Sequence, residues 1–89
     1  MILQPKETFG DWVRQIRIQL RITNDAEANI KIGVYMYTMR SWEKNDTLPR
    51  LPTLLKLTRN LSTLTGESPQ DILDTIMESI PEWRRMNGK

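Results

Sequence analysis

The sequence predicts an all-α fold, a single small domain of five helices. Apolar residues recur at intervals of three and four in five separate segments, and no segment alternates in the way a half-buried strand would. Oxygen-bearing residues stand where helices start, as in Asn24-Asp25-Ala26-Glu27 and Ser68-Pro69-Gln70-Asp71. Glycine and proline punctuate the gaps between segments, above all at Gly33, Pro49, Pro52, Gly66 and Pro81.

The first helix is expected over residues 8–21, with Thr8 as N-cap and Phe9, Trp12, Val13, Ile16 and Leu20 on its inner face. The second starts near Asn24, where a capping box with Glu27 can satisfy two orphan backbone donors. It ends at Gly33, a residue suited to a turn that needs positive φ. A short third helix follows. Val34, Met39 and Trp42 face inward on it, which leaves Met36, Tyr37, Arg40, Ser41 and Lys44 outside. Residues 45–49 read as a loop. The fourth helix spans residues 52–61, with Leu54, Leu55, Leu57, Thr58 and Leu61 as its stripe, and residues 62–67 form a second loop around Gly66. The last helix opens at Ser68 with proline in its first turn, carries Ile72, Leu73, Ile76 and Ile80, and stops at Pro81. This gives one domain over residues 1–89, with a core at about 8–80, a short N-terminal arm and a basic C-terminal tail.

Composition narrows the function. A chain of 89 residues can close one modest core and has no room for a second domain. It contains no cysteine and no histidine, which removes disulfides, thiolate metal sites, catalytic triads and histidine-based acid-base pairs. Asp71, Asp74 and Glu78 lie along one face of a helix as a solvated or partner-facing stripe, and no glycine-rich phosphate loop occurs among four glycines. Catalysis, cofactors and metals are therefore not expected. No apolar run approaches the ~20 residues of a membrane span, and no secretion-type apolar region follows Met1, so a soluble cytoplasmic protein is expected. The net charge of +2 conceals an asymmetry: residues 1–60 carry ten Lys or Arg against six Asp or Glu, and residues 61–83 carry five acids and no base. The basic part suits an anionic partner, and the acidic helix should lie away from it.

One ordered set of residues carries a resemblance. Arg17, Gly33-Val34, Trp42-Glu43 and Leu48-Pro49 resemble the pattern of the Xre/Cro family, the small DNA-binding domains of phage repressors and bacterial regulators, over residues 9–73. The resemblance implies a compact bundle of the lambda-repressor-like type with a helix-turn-helix at helices 2 and 3. It also implies a bond from Arg17 to Glu43 that locks the third helix to the scaffold. Base edges in double-stranded DNA would then be read by Met36, Tyr37, Thr38, Arg40 and Ser41, and phosphates held by Lys44, Asn45, Thr47 and Arg50. The implied activity is a nucleoid-associated transcriptional repressor at a palindromic operator.

Several positions depart from that pattern. Asn24 and Asp25 stand where the family often has a phosphate-contacting glutamine, Asn29 replaces a small alanine, and Asn45 replaces a glycine. The trio Tyr35, Met36 and Tyr37 is apolar and aromatic where hydrogen-bonding side chains are common. Because Met and Tyr are enriched at protein interfaces, the alternative is an antitoxin-like or anti-repressor-like interaction module that binds a protein partner. A two-half-site operator asks for a homodimer. Ile72, Ile76, Ile80 and Trp83 are the expected interface, within residues 68–86, and the competing reading is that the isoleucines close the monomer core.

Overall fold

The computed structural model describes residues 3–83. Five helices follow one another: α1 Phe9–Gln19, α2 Asp25–Ile32, α3 Met36–Glu43, α4 Leu51–Thr65 and α5 Pro69–Glu78. Residues 81–83 are helical again, and no strand occurs among the described residues. α1 packs against α3, while α4 packs against both α2 and α5.

Three helices start where the sequence supplies an oxygen. Thr8 Oγ1 accepts the Asp11 N–H at 3.1 Å, Asn24 Oδ1 accepts that of Glu27 at 2.9 Å, and Ser68 Oγ accepts that of Asp71 at 3.1 Å. At α2 the reciprocal half of the box is displaced by one residue. Glu27 Oε1 accepts from the backbone N–H and the hydroxyl of Thr23, at 3.0 and 2.8 Å.

Two helix ends differ from expectation. α4 runs on to Thr65, where the hydroxyls of Thr58, Thr63 and Thr65 are each absorbed by the carbonyl four residues back and Gly66, at φ 79°, is the first residue that reverses the chain. α5 stops at Glu78, before Pro81 can act. There the Ser79 hydroxyl donates to the Thr75 carbonyl at 2.6 Å and accepts the Lys6 N–H at 2.8 Å, and Pro81 opens the next helical residues.

The core gathers Phe9, Trp12, Ile16, Met39, Trp42, Leu57 and Leu61 with residues of every other helix. Phe9 stacks on Trp12 and meets Trp42 edge-on, with ring centroids 5.7 and 5.8 Å apart. Trp12 Nε1 donates to Thr75 Oγ1 at 3.0 Å, which ties α1 to α5.

Two expectations are corrected here. Ile72, Ile76 and Ile80 are at most 1% exposed and belong to the monomer core, so their side chains are not available to a twin. Trp83 is half-buried against the same core. A periodic apolar stripe has the same signature whether it faces its own domain or another copy, and here the domain uses it. The N-terminal arm is likewise part of the fold: Leu3 is 2% exposed, its N–H donates to Glu67 Oε2, and Gln4 exchanges two backbone bonds with the Gln15 amide at 2.8 and 3.0 Å. The basic tail, and the dimer segment past residue 83, lie outside the described residues.

Candidate functional site

α2 and α3 meet through the three-residue turn Gly33-Val34-Tyr35. Gly33 adopts φ 77° and donates its N–H to the carbonyls of Ala28 and Asn29, closing α2 in the left-handed conformation that a side chain would strain. Val34 is buried and turns the chain inward, and Met39 and Trp42 then bury the inner face of α3.

α3 is fixed at both ends by bonds from other helices. Tyr35 at its N-cap offers no side-chain acceptor, and the carboxylate of Asp25 supplies one, taking the Met36 N–H on Oδ1 at 2.8 Å. At the other end Arg17 Nε and Nη2 donate to the two oxygens of Glu43 at 2.7 and 3.0 Å. Arg14 Nε lies 3.7 Å from the same carboxylate. Glu43's side chain is 10% exposed and Arg17's 33%, so a fork of two bonds acts in a partly water-excluded place. The hydrogen bonds to Glu43, reinforced by its charge and opposed by desolvation, hold the Arg17 guanidinium above its ordinary pKa. Gly10 permits the approach: a Cβ there would collide with the Glu43 carbonyl oxygen. Asn45, in the left-handed region at φ 60°, accepts the Gly10 N–H at 2.9 Å.

The outer residues of α3 are not equivalent. Tyr37 is 74% exposed, Arg40 is exposed, and Thr38 and Ser41 are half-buried. Met36 is half-buried and packs on the core. Its side chain is thus turned partly inward, and Tyr37 and Arg40 stand furthest from the scaffold. Lys44, Asn45, Thr47 and Arg50 are all exposed in the segment that leaves α3. Ser41 Oγ and Thr47 Oγ1 lie 2.8 Å apart and close that segment on the helix. With its Oδ1 engaged by Gly10, Asn45 first serves the α1–α3 junction.

Sequence reasoning missed two features of this face. Tyr35 stacks on Tyr37 with ring centroids 6.3 Å apart, a pairing whose only sequence signal is two aromatics two residues apart across a helix start. Asp25 reaches a helix eleven residues away, signalled only by the lack of a capping side chain at Tyr35. Among the described residues no cluster of three or more acids could hold a metal ion, and no helix is long and apolar enough to cross a membrane.

Compared with known proteins, the chain matches no family model, no curated protein and no solved structure.

Proposed function

We propose that this chain is a sequence-specific double-stranded DNA-binding regulator of the lambda-repressor-like type, a bacterial or phage repressor acting as a dimer at a palindromic operator and associated with the nucleoid in the cytoplasm. The observation that carries the reading is α3 itself. It is a short helix clamped to α1 by the Arg17–Glu43 fork, with Tyr37 and Arg40 outermost and Lys44, Thr47 and Arg50 exposed just after it. A helix so held can enter a major groove without losing further freedom on binding, and the bases after it suit the flanking phosphates. The amides at the start of α4 add a dipole that favours an anion, since no side chain caps them.

Binding to labelled random-sequence duplex, at low and at physiological salt, tests the proposal. A DNA binder loses affinity steeply as salt rises, with a slope set by the number of phosphates it neutralises. Absence of binding at low salt removes the reading.

A protein-interaction module of the same fold is the second reading. It is favoured by the stacked Tyr35 and Tyr37, 55% and 74% exposed, with Ile30 on α2 82% exposed. Aromatic side chains of this kind anchor interfaces at low entropic cost. Salt-independent retention of a partner by wild type, lost in Tyr37→Ala, would select it.

A further inference from the structure

The outer face of α3 carries few groups that can tell one base pair from another by hydrogen bonds. The helix contains no asparagine or glutamine, the side chains that bind adenine through two bonds at once. Of its hydroxyls, Ser41 Oγ is engaged with Thr47 Oγ1 at 2.8 Å and that of Thr38 belongs to a half-buried residue. Met39 and Trp42 are buried, and Met36 packs on the core. That leaves Tyr37 and Arg40, which is exposed and in no ion pair among the described residues. Arg40 carries the planar fork that fits guanine O6 and N7. Adenine has no such reader on this helix, so an A·T pair is left to recognition from its thymine side.

Thymine shows the major groove one carbonyl oxygen and a C5-methyl group, and the methyl is matched by apolar surface. Tyr35 and Tyr37 supply such a surface. Their rings lie 18° from parallel with centroids 6.3 Å apart, within the range of attractive offset pairs, and the residues are 55% and 74% exposed. Tyr35 is held by its own backbone, since its carbonyl accepts the N–H groups of Thr38 and Met39, both at 3.1 Å. The stack therefore steadies an exposed ring that alone would change rotamer freely. Tyr37 and Arg40, three residues apart, are neighbours on one helix face and about 4.5 Å apart along its axis, against a base step of ~3.4 Å. We propose that the Tyr35–Tyr37 pair recognises the C5-methyl group of a thymine, while Arg40 takes a guanine one or two base pairs away. Tyr37 makes the contact and Tyr35 is its positioning residue. The inference rests on the DNA-binding reading and adds the chemistry by which that surface chooses a base.

Deoxyuridine in place of thymine removes the methyl and keeps the base pairing. Fluorescence anisotropy of the full chain on a duplex selected from a random library, with each thymine replaced in turn, tests the proposal. One thymine per half-site should be sensitive, its replacement weakening wild-type binding about threefold to tenfold, as loss of one buried methyl implies. Tyr37→Ala should bind the thymine and uracil duplexes alike. Tyr37→Phe should keep the difference, because the ring and not the hydroxyl makes the contact. Tyr35→Ala should shrink the difference while leaving the salt slope as in wild type, and Tyr35→Phe should restore it. Both tyrosines are exposed, so thermal melts of these variants should remain those of a folded domain. No uracil-sensitive thymine in the selected duplex, a difference that survives Tyr37→Ala, or one that Tyr37→Phe abolishes would each overturn the proposal. The same titrations report salt-sensitive binding itself. A chain that binds its selected duplex but is blind to the methyl refutes this inference alone, and one that binds no duplex refutes the DNA-binding reading with it.

Discussion

Asp25 Oδ1 accepts the backbone N–H of Met36 at 2.8 Å, joining the first residue of α2 to the first residue of α3. One carboxylate thereby serves two helix starts, where negative charge is favoured by both dipoles. It also puts that charge beside the surface proposed to approach phosphate. Asp25→Asn keeps an acceptor and removes the charge, so it should lose only the dipole contribution, about 0.3–1 kcal/mol of stability, while tightening binding to duplex at low salt. Asp25→Ala removes the cap as well and should cost about 1 kcal/mol of stability. If Asp25→Asn weakens duplex binding, the carboxylate is a contact rather than a repulsion.

The fork between Arg17 and Glu43 should respond unequally to loss of either partner. Removing Arg17 leaves a carboxylate that is 10% exposed with only Arg14, at 3.7 Å, to answer it. Removing Glu43 leaves two guanidiniums, 33% and 54% exposed, which can turn to water. Arg17→Met should therefore cost about 2–4 kcal/mol and Glu43→Gln about 1–2 kcal/mol, below the range for fully buried pairs because Arg17 is partly solvated. Thermal melts of both variants and the double variant measure the coupling. Melting temperatures indistinguishable from wild type would reduce the fork to a surface contact.

What the sequence made legible was local. Thr8, Asn24 and Ser68 cap as their side chains allow, Gly33 and Gly66 reverse the chain, and the apolar stripes of α1, α3 and α4 fill the core except for Leu55, which stands 49% exposed against expectation, and Leu20, which is only half-buried at its edge. The residues of the fork could be paired only because they resemble a known pattern. Spacing alone does not bring together positions 26 residues apart. What stayed hidden depends on how elements dock. Leu3 enters the core beside backbone bonds that Gln15, Glu67 and Ser79 receive from the strap around it, contacts between residues 11 to 73 positions apart that form only when the helices are assembled. For the same reason Ile72, Ile76 and Ile80 could not be assigned to core or interface: they are buried by the docking of α5 on α4 and its tie to Trp12 of α1, not by their own period. Asp25 and Asn45 could be judged only as departures from a pattern, whereas each turns out to bond the backbone of a neighbouring helix.

Two backbone positions carry opposite expectations. A methyl group at Gly10 would strike the Glu43 carbonyl oxygen, and that backbone can retreat only by opening the fork with Arg17. Gly10→Ala should lose about 1–3 kcal/mol in spite of alanine's better helix propensity. Arg21, exposed and at φ 55° after α1, holds a left-handed conformation with a Cβ. Arg21→Gly relieves that strain and should gain about 0.5–1 kcal/mol net of the glycine's greater freedom when unfolded, a rise of a few degrees in Tm. Urea titrations of the two variants should move in opposite directions.

Stability should also depend on Glu27. Hydrogen bonds from the Thr23 hydroxyl and backbone, helped by Lys31, hold its carboxyl below the ordinary value of 4.5. A carboxyl depressed by folding stabilises the native state when ionised. Its contribution is fully present above pH 4.5 and is lost as the pH falls through the lower folded value. Glu27→Gln, which can still accept from Thr23, should flatten the acid side of the stability profile without moving the neutral plateau far. Superimposable profiles for variant and wild type between pH 5 and pH 2 would discard the assignment.

The reading of bases should fall most heavily on Tyr37, which stands 74% exposed on α3. At 74% exposure its truncation removes little packing beyond the stack on Tyr35, so Tyr37→Ala should change stability by no more than about 0.5 kcal/mol. Any loss of binding then belongs to the contact and not to the fold. For a base-reading tyrosine, affinity for the preferred site should drop by about 1–3 kcal/mol while affinity for random duplex holds. Arg50, exposed beyond the loop, should behave differently. As a phosphate contact its removal weakens both duplexes alike and lowers the salt slope by about one. Selection from a random duplex library separates these outcomes: an unchanged preferred motif in Tyr37→Ala would transfer the reading to Arg40 and Ser41, its neighbours on the helix.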